Sequence, residues 1–181
     1  MNRKAQVEMI GLVIIVILIS LGMLFGAQFA LKDSPQKKIF TRKGLSYSTV
    51  SAVMKTTVYE DSCQGQFNKA FTPQVGKDLL EDCARYHNNL EGFSLYNCRN
   101  KHSCLFLQEF VTELLNETLG HWNKRYEFKS VLIQAQADEP IILFDPIINR
   151  GGCRGRERDG SGLFPIHTQA GLVQSELYLC D

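Results

Sequence analysis

The chain has 181 residues, with 20 Lys and Arg against 19 Asp and Glu, and a formal net charge of +1. Beyond Glu8 acidic and basic residues balance, which excludes a global electrostatic pull toward nucleic acid, and the length suits one modest domain. The continuous apolar character is confined to the stretch from Met9 to Leu31.

Arg3 and Lys4 open the chain as a basic leader, followed by Ala5, Gln6, Val7 and Glu8. Met9–Leu31 then gives 23 residues without a charge. As a helix that run is about 34 Å long, enough for the ~30 Å hydrocarbon core of a bilayer. It lacks the polar face that a core helix of a small domain needs, and it exceeds the ~7–15 apolar residues of a cleaved secretory signal. A transmembrane helix over 6–31, embedded in the lipid bilayer, is the expectation. Gly22 and Gly26 form a small-xxx-small pair that lets another helix approach closely; ordinary glycine tolerance in membrane helices explains them equally well.

The order of basic leader, Ala5, Gln6, Glu8 and unbroken apolar helix resembles the class III signal peptide of archaeal type IV pilin-like proteins. The resemblance implies cleavage of leader 1–5 by a prepilin peptidase, between Ala5 and Gln6. The helix would then stay on the protein, as an anchor or in a filament core beside other pilin-like subunits. In that family a Glu five residues after the cut pairs with a neighbour's N-terminal amine; here Glu8 is the third. The rest of the chain resembles archaeal pilin-like membrane proteins of uncharacterised role, with a KTT helix, scattered cysteines and a C-terminal Cys.

Residues 32–44 read as a basic linker, with Ser34-Pro35 ending or kinking the helix and the lysines near anionic headgroups or in a solvated hinge. Lys32, Lys37, Lys38, Arg42 and Lys43 would by the positive-inside rule hold the larger domain in the cytoplasm. The cysteines and the leader point to the extracytoplasmic side, which is the expected placement.

Residues 45–181 read as an α+β domain of two to three helices and an antiparallel sheet. Leu45–Tyr59 has the three- and four-residue apolar spacing of an amphipathic helix, and Val75–His87 that of a short one. Ser103–Trp122 is the clearest helix: Leu107, Phe110, Val111, Leu114, Leu115 and Leu119 share a face, Phe110 and Leu114 are expected in the core, and Gly120 suggests the stop. The period then changes to that of strands at Tyr126–Ile133, Ile141–Phe144 and Leu172–Cys180. In the last, Val173, Ser175, Leu177 and Leu179 fall on one side. Between them Asn149–Gly162 is a Gly- and Arg-rich loop with Arg150, Arg154, Arg156 and Arg158; Glu157 and Asp159 interrupt any anion patch, and it lacks the ending of a phosphate loop.

Cys63, Cys83, Cys98, Cys104, Cys153 and Cys180 all lie outside the apolar run, an even number that suits three disulfides in an oxidising compartment. Proximity along the chain suggests Cys63–Cys83 and Cys98–Cys104. Cys153–Cys180 would tie the Gly-rich loop to the chain end. The alternative, zinc held by Cys83, His87, Cys98, His102 and Cys104, lacks the paired CxxC spacing of structural sites. No HExxH, GxSxG, GxGxxG or Walker pattern is present, so no catalytic residue, resident metal or cofactor is expected. Asn116-Glu117-Thr118 is a glycosylation sequon, usable only on an external domain. Two readings follow: a non-enzymatic pilin-like surface subunit, or an uncleaved single-pass protein displaying an extracellular binding or sensing domain.

Overall fold

The computed structural model describes the backbone of residues 3–31, 35–59, 63, 72–90, 92–155 and 157–180, and within it the side chains of all but residues 3–12, 29–31 and 35–37. The chain divides into two compact units, Met1–Lys38 and Ile39–Asp181. The first carries helix α1, Arg3–Leu31. Every described side chain of α1, over residues 13–28, is exposed. Ser20 turns its hydroxyl back to donate to the Val16 carbonyl at 2.8 Å, which leaves the helix surface apolar from Val13 to Ala27. Among the described residues no helix is long and apolar enough to cross a membrane; both ends of the apolar run, 9–12 and 29–31, lie outside the described side chains.

Helix α2 runs Pro35–Lys55. It starts earlier than the amphipathic spacing from Leu45 suggests, because Pro35 sits at its first position, where the locked ring favours helix and the missing N–H costs nothing. Ser46, Val50, Val53 and Met54 form its buried face. The chain then pairs briefly in extended form, Thr57 against Gln74. A π-helical turn, Val75–Leu79, leads into α3, Leu80–Tyr86. Helix α4, Ser103–Leu115, ends in a second π turn, Asn116–Gly120.

The sheet is antiparallel and built on two long strands, β1, Arg125–Ile133, and β6, Gly171–Cys180, paired along their whole length. On the outer edge of β1 lie β2, Ile141–Ile142, and β3, Ile147–Ile148. On the outer edge of β6 lie β4, Arg158–Gly160, and β5, Phe164–Thr168. The expected strand Ile141–Phe144 is thus cut short: Leu143 and Phe144 leave it and tuck into the core. Alternation puts Tyr126, Phe128, Ser130 and Leu132 of β1 and Val173, Ser175, Leu177 and Leu179 of β6 on the buried face. Two serines sit there because each satisfies the other, Oγ to Oγ at 2.9 Å.

The core cluster joins these residues to Val50 and Val53 of α2, Leu80 of α3, and Phe106, Leu107, Val111 and Leu115 of α4. The core stripe of α4 is rotated from the expected one. Phe106 is fully buried, whereas Phe110 and Leu114 are half-buried at its margin, Phe110 stacking on Phe106 at 5.7 Å. The architecture is α+β, with an antiparallel sheet and three disulfides.

Candidate functional site

Of the candidate assembly residues, Gly22 and Gly26 lie on α1 with no other atom within 4 Å of where a Cβ would stand. That is an open backbone surface of the kind a second helix approaches. Ala5, Gln6 and Glu8 fall in the helical backbone of α1, but their side chains lie outside the described residues.

All six cysteines are paired, and two pairs differ from those suggested by proximity along the chain. Cys63 bonds Cys98, and Cys83 bonds Cys104; Cys153 bonds Cys180 as expected. Helix packing decides the difference. Cys83 is fully buried within α3, and Cys104 stands in the first turn of α4, where α3 and α4 pack together. Cys98 and Cys104 are separated by a tight reversal at Arg99 and Asn100, both in the left-handed region at φ 53° and 57°. That reversal pairs Cys98 with Lys101, closed by the Lys101 N–H to the Cys98 carbonyl at 3.0 Å. Cys98 is left to staple Cys63. Every cysteine that the zinc alternative requires is therefore committed to a disulfide. Among the described residues no group of three or more His, Cys, Asp or Glu is placed to hold a metal ion.

His87 and His102 have structural partners instead. His87 Nδ1 lies 2.9 Å from the Ala84 carbonyl. His102 caps α4, its Nδ1 accepting from the Cys104 N–H at 3.2 Å. Its neighbour Asp82, on the polar side of α3 by sequence, is in fact buried. Its two oxygens accept the N–H groups of Leu95 and Tyr96 at 3.0 and 3.2 Å, which orders the loop behind α3. Burial holds the His102 imidazole below its ordinary value; the Asp82 carboxylate and the Phe93 backbone oppose this more weakly.

As pH falls through the ordinary histidine range, the unfolded chain takes up a proton that folded His102 refuses, so stability drops toward acid. We expect the urea midpoint of the wild type to be lower at pH 5 than at pH 7.5. H102N keeps a capping acceptor without a titrating group, and should flatten that part of the profile. An equal slope in H102N would show that another group carries it.

Asn116 of the sequon is exposed but lies in the π turn, and its side-chain oxygen accepts the hydroxyl of buried Tyr126 at 2.8 Å. The hydroxyl of Thr118 donates to the Leu114 carbonyl at 2.7 Å. The Asn116 side-chain oxygen and the Thr118 hydroxyl are thus engaged within the folded domain.

The Gly- and Arg-rich loop is where the structure departs furthest from the sequence. Arg158–Gly160 is strand β4, so its side chains alternate between faces. Asp159 points to the helix-covered face and meets Arg42 of α2, Nε to carboxylate at 2.8 Å, with the two side chains only 13% and 11% exposed. Glu157 is 3.9 Å from the same guanidinium. The two acids that interrupt the arginine run in sequence are thus turned to Arg42. Arg42 in turn is a structural cation of the domain. On the opposite face the Arg158 guanidinium lies over the Tyr178 ring at 4.9 Å. Arg156 lies outside the described residues. Sequence reasoning missed Arg42, Asp82 and Asp159; a two-residue period at 158–160 was the one signal for Asp159.

No family model, curated protein or solved structure matches this chain.

Proposed function

We propose that this chain is a non-enzymatic, membrane-anchored surface protein, a pilin-like subunit or minor component of a cell-surface assembly. In this reading α1 lies in the lipid bilayer or packs among the helices of other subunits, and a prepilin peptidase removes the leader between Ala5 and Gln6. The disulfide-bearing domain faces the extracytoplasmic side.

One observation carries the reading: over its described side chains α1 has no polar face. From Val13 to Phe25, Val13, Ile14, Ile15, Val16, Ile17, Leu18, Ile19, Leu21, Met23, Leu24 and Phe25 are all exposed large apolar side chains. Leaving that many in water costs on the order of 15 kcal/mol, as much as the whole stability of a well-folded domain. Such a helix requires a cover, and lipid or a ring of like helices supplies one without demanding a polar side. Three disulfides suit an oxidising compartment.

The position of Glu8, third rather than fifth after the cut, favours a second reading: an uncleaved single-pass protein displaying a binding or sensing domain. Intact mass of the native protein separates the two. We expect a chain lacking Met1–Ala5 and beginning at Gln6. A mass retaining Arg3 and Lys4 rules out pilin-type processing and leaves the single-pass reading. Cleavage of the domain by protease added to intact cells is expected in either case, and protection would place it inside.

A further inference from the structure

The face of the sheet opposite the helices carries a cleft of about 490 Å³ between β3 and the Gly- and Arg-rich loop. That volume lies within the ~300–1,000 Å³ range of small-molecule sites. Its lining includes Glu127, Pro146, Ile148, Arg154 and Arg158. Strand register explains why these residues converge. Glu127 pairs with Ile148 on one side and with Tyr178 on the other, and Arg158 pairs with Cys180. Directly opposed residues share a face, so all of these point away from the core. The Cys153–Cys180 bond pins the loop to the same face at the end of β6. Gly152 has no room for a side chain: a Cβ would come within 2.9 Å of Ile148, and its φ is +66°.

The charge in this cleft is unlike what its sequence suggests. Asp159 and Glu157 are drawn to Arg42, and among the described residues neither Arg154 nor Arg158 has a carboxylate partner. Stacking on Tyr178 uses the flat face of the Arg158 guanidinium and leaves its in-plane N–H donors without a carboxylate partner among the described residues. Those donors match a carboxylate in a bidentate grip. Glu127 adds an acceptor for hydroxyl groups, and Pro146 and Ile148 add a small apolar wall.

We propose that this cleft binds a carboxylate-bearing sugar of the uronic-acid class, the carboxylate held by Arg154 and Arg158 and the sugar hydroxyls by Glu127. A free oligosaccharide or an acidic surface glycan presents the same chemistry. Two guanidiniums with one carboxylate acceptor favour an anion that also carries hydroxyl donors. Glu127 repels any anion here, and a simple inorganic anion brings no hydroxyl donor to offset that repulsion.

The test is calorimetric titration of the full chain in detergent with trigalacturonic acid, galactotriose, sulfate and triglutamate. Saturable binding of trigalacturonic acid is expected, at least tenfold tighter than galactotriose. R154A and R158A should each weaken it by at least tenfold, with near-UV circular dichroism unchanged. R158K should restore only part, because a lysine lacks the planar fork. E127A should lower the ratio of trigalacturonate to sulfate affinity. The proposal is overturned by absence of saturable binding at millimolar trigalacturonate, or by binding that both arginine variants leave intact. Equal or tighter binding of sulfate overturns the sugar assignment, and equal or tighter binding of triglutamate makes the cleft a peptide site instead. A free oligosaccharide and a surface-glycan source are distinguished by whether a long polygalacturonate binds as well per unit as the trimer.

Discussion

Replacing Cys83 and Cys104 together by alanine is expected to lower the unfolding free energy of the domain by roughly 3 kcal/mol through loop closure alone. The bond spans a sequence separation of 21 and joins α3 to α4 inside the core. Both sulfurs are buried, so removing them also loses packing contacts, and alanine avoids placing an unpaired hydroxyl there. The bonds Cys63–Cys98 and Cys153–Cys180 span 35 and 27 residues and are each of similar worth, roughly 3–4 kcal/mol. Cys83–Cys104 and Cys63–Cys98 interleave along the chain, so closing one shortens the loop left for the other and their effects fall short of additive. Full reduction therefore removes an amount comparable to the whole stability of an ordinary domain. Urea unfolding with and without reductant checks this. The reduced chain should lose its near-UV circular dichroism in native buffer, and an unchanged midpoint after reduction would contradict the bracing role.

The second large effect is expected at the Arg42–Asp159 pair. D159A should destabilise the domain by about 3 kcal/mol, the lower part of the range for breaking a buried pair, because both side chains keep slight exposure. The loss comes less from the attraction removed than from a largely buried guanidinium deprived of its closest carboxylate. The companion R42M should cost a similar amount, and R42M with D159L should recover much of it, since an apolar pair of similar size leaves no charge to desolvate. A double-mutant cycle by denaturant unfolding measures the coupling. A D159A cost below about 1 kcal/mol, the level of an exposed pair, would show that the contact is solvated. The same variant bears on the cleft: without Asp159 the charge balance on β4 changes, yet Arg158 stays on the opposite face.

Much of the fold was legible because periodicity is local. The alternation of Val173, Ser175, Leu177 and Leu179 predicts β6 and its buried face residue by residue, and Ser103–Leu115 is helical where its spacing says. The misjudged points share one cause. Phe106 replaces Phe110 in the core because helix rotation depends on which neighbour the helix packs against, and α3 fixes it with the Cys83–Cys104 bond. Leu143 and Phe144 leave the strand because the core beneath β1 has room for them. Asp82 lies off the apolar face of α3 by spacing, yet it is buried, because its two oxygens accept the N–H groups of Leu95 and Tyr96.

By itself the sequence determined the uncharged apolar run, the α+β class and the even set of cysteines, since each follows from composition or from a period of two to four residues. Tertiary structure alone decided which cysteines meet across α3 and α4, that Arg42 closes on Asp159, and that Arg154 and Arg158 line one open cleft alongside Glu127. Those outcomes depend on contacts between residues distant in the chain, such as Arg42 and Asp159, and spacing along the chain holds no record of which surfaces will face one another.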